Sequence, residues 1–192
     1  MSHHIYHTRG LILGSVSIGE SNKFYRIFTK ELGLIGATAQ AVREQKSKLR
    51  YSLRDFSWAT IDLVHGKEVW RITSALSEER GPREAGIPIS FVRACALISR
   101  LVHGEGMNDR LFRELCAFAE FLEQCPVAPS EEAAVDGLMT LRILSCLGYL
   151  DNAPHLQFLE TGVWNKNIIS HFEKIRHTVV PVINHALRSS HL

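Results

Sequence analysis

The sequence predicts an α+β chain, with a strand-rich half that closes into a small β-barrel and a helical half after it. Three observations predict this. Up to about residue 76, short runs rich in Val, Ile, Thr, Phe, Tyr and Trp alternate with turn chemistry. Beyond residue 88, apolar residues recur at spacings of three and four. Between the two lies Glu78–Pro88, where Gly81, Pro82, Gly86 and Pro88 give the composition of a linker. The expected division is therefore 1–80 and 81–192.

Five strands are expected, over Tyr6–Gly19, Asn22–Glu31, Gly33–Val42, Phe56–His65 and Glu68–Leu76. Turns fall at Ile18-Gly19-Glu20-Ser21-Asn22, at Glu31-Leu32-Gly33 and at His65-Gly66-Lys67. In the fourth, Trp58, Thr60, Asp62 and Val64 point one way and Ala59, Ile61 and Leu63 the other, as in a half-buried antiparallel strand. Five short strands in so few residues suit a sheet closed on itself, a five-stranded Greek-key barrel of the OB type.

Helices follow. One stripe is Phe91, Cys95, Ile98, Leu101 and Val102; a second is Leu111, Leu115, Phe118, Phe121 and Leu122. A third, Val135, Leu138, Leu141, Ile143 and Leu144, ends at Gly148 as a C-terminal cap. Asn108 or Asp109 is expected to cap the second helix and Ser130 the third, with Glu131 and Glu132 favourable beside that N-terminus. Residues 153–164 give no clear pattern. Residues 167–189 are helical, and Pro181 is expected to kink or split them near Thr178.

Composition narrows the class. Apolar content of 45% with 22% charge excludes wholesale disorder. No apolar run approaches the ~18–20 residues of a membrane span, and no membrane association is expected. The N-terminus has no apolar core of a secretory signal, although His3-His4 is also compatible with a tag remnant. Cys95, Cys116, Cys125 and Cys146 stand 21, 9 and 21 residues apart and form no CxxC pair. They read as buried thiols in a reducing cytoplasm, with no metal site and no cofactor.

Catalytic signatures are absent. The sequence has no Walker GxxxxGK[ST] element, no GxSxG elbow and no HExxH spacing. His171 and His177 fall about 240° apart on a helix and read as surface residues. Glu131 and Glu132 serve capping rather than acid–base chemistry. The expected protein is not an enzyme.

Charge is the informative property. Residues 1–80 hold twelve Lys and Arg against eight Asp and Glu, while 81–192 hold ten against twelve. The stretch Arg43–Arg54 has five cations and one anion, which matches the whole surplus of the first half. Such a patch attracts polyanions, although a solvated charged turn would look the same in sequence. Arg43, Lys46, Lys48, Arg50 and Tyr51 are the leading candidates, because cations neutralise phosphates and interleaved aromatics stack on unpaired bases. Lys23-Phe24-Tyr25-Arg26 repeats that mixture, and Arg9 lies near the start of the first strand. Alternation makes Phe24 and Tyr25 face opposite ways, so one of them fills the core.

Tyr6–Leu13, Gly19–Lys23, Phe28–Gly33, the Lys46–Phe56 stretch leading into Trp58–Leu63, Ile72–Ala75 and Leu147-Gly148-Tyr149 together resemble the bacterial recombination mediator family RecO. The resemblance keeps its order over roughly residues 6–150. It implies an N-terminal OB domain, a helical C-terminal domain, binding of single- and double-stranded DNA, and annealing of complementary strands. It implies RecR as a partner, and help to RecA in replacing the single-stranded DNA-binding protein, whose acidic C-terminal tail the helical domain would bind. Arg43, Lys46, Lys48 and Arg50 occupy the family's basic loop. Two departures stand out: Leu150–Phe158 lacks the cysteines of a zinc element found in many relatives, and Gly137-Leu138-Met139 replaces an arginine-rich turn. For the tail, Arg110, Arg113 and Arg142 are the candidates. The alternative is an adaptor that binds acidic peptides through the helical half and no DNA.

Overall fold

A computed structural model describes residues 4–67, 69–78, 86–150, 158–159 and 162–190. Most of the expected linker, and most of the unpatterned stretch from 153 to 164, lie outside these, as does His3. The chain divides into two compact units, 1–81 with 103–108, and 82–102 with 109–192.

In the first unit, β1 (Ile5–Ile18), β2 (Asn22–Thr29), β3 (Gly33–Ala39), β4 (Trp58–His65) and β5 (Trp70–Ser77) form a closed barrel. The order is β1-β2-β3-β5-β4, an OB-type ring. The 14-residue β1 pairs with β4 through its first half and with β2 through its second. A bulge between Ile12 and Gly14 lets one strand serve both neighbours. The ring closes through a short parallel contact, Ala37↔Trp70 and Thr38↔Arg71. Period-2 alternation turns Ile12, Tyr25, Ile27, Ile35, Ala37, Ile61, Leu63 and Ile72 into one interior cluster.

A second apolar row runs along the opposite face. Register sets Trp58 beside Leu11, Leu11 beside Phe28, and Phe28 beside Leu34, and all four are buried. The segment His103–Asn108 packs with the barrel: Trp70 Nε1 donates to Glu105 Oε1 at 2.8 Å. Gly33 has φ +68°, and a Cβ there would lie 2.3 Å from the Gly106 carbonyl oxygen. Only glycine meets both demands.

The sequence reading missed one element. Residues Leu49–Ser52 form a short helix, α1, between β3 and β4. The second unit holds α2 (Ile89–Leu101), α3 (Asp109–Gln124), α4 (Glu132–Cys146) and α5 (Lys166–Ser189). The α4 stop is as expected: Gly148 has φ +79°, its N–H donates to Ser145, and the Tyr149 N–H donates to Leu144. That bond pair is a Schellman closure.

Three expectations are corrected here. The cap of α4 is Glu131 and not Ser130, and Glu131 bonds the Ala128 N–H and Lys166 Nζ. Those hydrogen bonds, the Lys166 one foremost, hold its carboxyl below the usual range. Helix α5 runs unbroken through Pro181. Pro181 and His177, whose carbonyl the missing N–H would have bonded, are both exposed, so water can satisfy that carbonyl. Buried Phe172 and Val179 on one side, and Ile183 and Ala186 on the other, keep the two parts in line. Of the four free cysteines only Cys95 is buried, and the others are half-buried. Burial raises the Cys95 thiol to about 12 and Cys146 to about 11.

The core of the second unit contains an ion pair. Arg142 Nη1 donates to Glu114 Oε1 at 2.7 Å, with both side chains essentially without solvent contact. Arg142 also donates to the Phe158 and Val163 carbonyls, and its guanidinium lies 4.7 Å from the centre of the Trp164 ring. Glu114 accepts in addition from Trp164 Nε1 and the Gly162 N–H, each at 2.7 Å. Every partner is needed, because an unpaired buried charge is costly. Arg142→Ala strands Glu114 and should cost about 3–5 kcal/mol of unfolding free energy in urea titrations. Replacing both, as Arg142→Met with Glu114→Gln, should cost clearly less than the single change.

Candidate nucleic-acid interface

The basic stretch is built from its apolar residues outward. Val42 and Leu53 are buried in the barrel's core cluster, and Leu49 packs against it. Leu49 and Leu53 are four apart, and the Leu53 N–H bonds the Leu49 carbonyl, so one helical turn presents both to the core. Arg43, Lys46, Lys48, Arg50, Tyr51 and Arg54 are all exposed, Tyr51 by 68%. The anchors point in and the charges point out.

Local bonds fix the ends of this loop. Asn22 Oδ1 accepts from the Ala41 N–H at 3.0 Å, and the Arg43 N–H donates to the Ser21 carbonyl at 3.0 Å. Ala41 takes φ +53° to make that turn, a conformation that costs a non-glycine residue roughly 1 kcal/mol or more. On the other side Phe56, at φ +63°, donates its N–H to the Ile12 carbonyl at 2.7 Å. The loop is thus tied to the β1–β2 turn at one end and to β1 at the other.

A cleft of about 310 Å³ opens between these parts, lined by Lys23, Tyr25, Val42, Arg43, Arg50 and Leu53. Three cations rim it and apolar side chains form its floor. Arg43 Nη1 donates to the Gly19 carbonyl at 3.1 Å, and Lys23 Nζ to Ser15 Oγ at 3.3 Å, bonds that orient the cations without cancelling their charge. Among the described residues, Lys46, Lys48, Arg50 and Arg54 enter no ion pair. Uncompensated cations facing water hold their full attraction for phosphate.

The other candidates divide. Tyr25 is the core member of its pair and Phe24 the half-buried outer one. Arg26 is exposed on the same face as Phe24. Arg9 lies elsewhere: its Nε and Nη2 each donate at 2.7 Å to the Glu78 carboxylate, and it stacks 4.7 Å over Trp58. That fork holds β1 against the end of β5 instead of leaving Arg9 for phosphate.

The helical candidates are not brought together. Arg142 is enclosed with Glu114, Arg110 donates to the Leu159 carbonyl at 3.1 Å, and Arg113 pairs with Asp109 at 2.9 Å. A groove of about 310 Å³ does exist in this unit, between α2, α4 and α5. Its walls include Ala94, Leu97, Met139 and Leu187, with Arg93 and Arg100 at its rim. Arg93 bonds Asp136 at 2.5 Å, whereas Arg100 has no ion-pair partner among the described residues. The signal for this groove was present in the sequence as arginines seven apart, close to two helical turns. Among the described residues no group of three or more His, Cys, Asp or Glu could hold a metal ion. Nor is any helix among them long and apolar enough to cross a membrane.

Residues 1–80 match the family described as "Recombination protein O N terminal". Curated relatives named "DNA repair protein RecO" align over more of the chain. That of Heliobacterium modesticaldum is 28% identical over 170 residues, 83% of this chain and 60% of the relative. That of Rubrobacter xylanophilus is 27% identical over 122 residues, 62% of this chain and 49% of the relative. That of Dehalococcoides mccartyi is 33% identical over 125 residues, with the same two shares. The chain spans between half and three fifths of the length of these relatives.

The cleft floor has a pH signature. Burial, with a smaller contribution from the Asp55 carboxylate, pushes the Tyr25 phenol up to about 12. An acid raised in the folded state stabilises the fold below its ordinary value near 10 and loses that contribution between about 10 and 12. Ultraviolet titration of phenolate should show one tyrosine ionising above the rest, absent in Tyr25→Phe.

Proposed function

We propose that this protein is a non-catalytic DNA-binding and annealing mediator of recombinational repair, a reading supported by the family match over residues 1–80 and by the similarity to relatives named "DNA repair protein RecO". The observation that carries the reading is the basic loop: apolar anchors every few residues oblige its cations to face water. Such a surface neutralises phosphates without reading bases, since attraction to a polyanion depends on charge and counterion release. Bringing two strands to it lowers their mutual repulsion and raises their encounter rate. Tyr51, exposed within the cations, supplies a stacking face for an unpaired base. With RecR as partner, a protein of this kind helps RecA replace the single-stranded DNA-binding protein in a cytoplasmic, nucleoid-associated setting.

Replacing Lys46, Lys48 and Arg50 together by Ala should weaken single-stranded DNA binding for all sequences alike. It should also reduce the slope of log affinity against log salt by about 2. Anisotropy titrations between low and moderate salt measure both, and an unchanged slope would remove the loop from the interface.

The groove of the helical unit supports the second half of the proposal, recognition of the acidic C-terminal tail of the single-stranded DNA-binding protein. An apolar trough suits the hydrophobic end of such a tail, and Arg100 suits its carboxylates. Arg100→Glu should weaken an acidic-tail peptide about tenfold or more in a fluorescence competition assay while leaving DNA binding intact. If the peptide binds and DNA does not, the protein is an adaptor instead.

A further inference from the structure

The groove of the helical unit carries its own competitor for an acidic ligand. Arg93 stands on α2 at the groove's lip, and two carboxylates of α4 face it. Its Nη1 donates to Asp136 Oδ2 at 2.5 Å, and Glu132 Oε2 lies 3.6 Å from the same nitrogen. Glu132 and Asp136 are four residues apart, so α4 presents both on one face. The second Asp136 oxygen, Oδ1, is enclosed and has no hydrogen-bond partner among the described residues. Thr140 does not relieve it, because its hydroxyl donates to the Asp136 backbone carbonyl at 2.7 Å. The Asp136 carboxylate is therefore satisfied through Arg93.

Arg100 stands differently. It is exposed on the same groove and enters no ion pair among the described residues. The seven residues from Arg93 to Arg100 span about 10 Å of helix. About three residues of extended chain cover the same distance. Between the two arginines α2 offers Ala94 and Leu97, and Met139 of α4 and Leu187 of α5 complete the apolar wall. An extended tail laid along α2 thus meets an apolar trough with a cation at each end. One of those cations is held by the protein's own acids.

We propose that Glu132 and Asp136 form an intramolecular clasp that withholds Arg93 from an acidic tail until the tail's own carboxylate displaces them. The inference rests on the tail-recognition reading above and deepens it, because Arg93 then sets how many carboxylates the groove rewards. Arg100 captures the first carboxylate. A second one, three residues away, gains little, since each bond it makes with Arg93 breaks one with Asp136. The exchange swaps one ion pair for another and leaves the enclosed Asp136 oxygen uncompensated.

The test is a cycle of variants against two synthetic peptides. Both are C-terminally amidated and carry an aromatic residue, one with a single aspartate and the other with two aspartates three residues apart. Fluorescence anisotropy follows their binding to the full chain as wild type, R93A, E132Q/D136N and R93A/E132Q/D136N. In wild type, the second aspartate and the R93A change should each alter affinity by less than about twofold. E132Q/D136N should bind the two-aspartate peptide about fivefold tighter, the worth of one partly exposed ion pair, and adding R93A should abolish that gain. Circular dichroism checks the folds, and D136N alone, which keeps the shape of the side chain, should reproduce most of the gain. An E132Q/D136N protein no tighter than wild type overturns the clasp. So does a gain that survives R93A, which reports general charge alone. R93A that weakens the wild-type complex severalfold also overturns it, since Arg93 would then be serving the ligand from the start. If none of the four proteins binds either peptide, the tail-recognition reading itself fails.

Discussion

Closure of the barrel is the constraint on which the remaining features of the first unit depend. A ring of five strands has to bring β3 and β5 together, and it does so through two residue pairs in parallel. So short a seam leaves interior side chains such as Tyr25 and Trp70 without a full β-sheet wall beside them. Val42, Leu49 and Leu53 join the same cluster and complete it. Burying Val42 and Leu53 contributes about 1.5–3 kcal/mol each, and half-buried Leu49 adds to it, which is enough to fix a loop that is otherwise polar. The cations between the anchors have no inward direction left to take. Electropositive surface in this unit is thus a by-product of how its core is sealed.

The helical unit solves a different problem. Its connector between α4 and α5 has little regular structure among its described residues, yet Phe158, Gly162, Val163 and Trp164 are all bonded or packed to Glu114 and Arg142. A charged pair inside an apolar bundle is tolerable only when each lone pair and each N–H finds a partner. Here backbone carbonyls and an indole supply them. The pair fixes the connector's path more than it adds stability.

Much of this was legible in the sequence because periodicity is a direct imprint of burial. Five strands, four long helices and the Gly148 stop all follow from spacing and turn chemistry, with boundaries within a few residues. The basic loop was legible as a charge cluster. What escaped was whatever depends on contacts distant in sequence. Nothing local distinguishes Arg142, buried against Glu114, from the exposed Arg113, or tells that Arg9 has a partner 69 residues away. The helical turn at Leu49–Ser52 was hidden because Leu49 and the following Leu53 sit in a run dominated by cations. Pro181 misled for the opposite reason: the local rule was sound, but the proline falls on the face where water can replace the lost bond.

The short parallel seam has a consequence for how this barrel tolerates change. Since the segment after β3 acts as a cork, its length and the placement of Val42, Leu49 and Leu53 are dictated by a hole of set size. Insertions that would be harmless in an ordinary surface turn would here unseat the plug and let water into the interior. The polar positions answer to no such limit, so the electrical character of the rim can drift from one relative to another while the stopper beneath it stays the same shape.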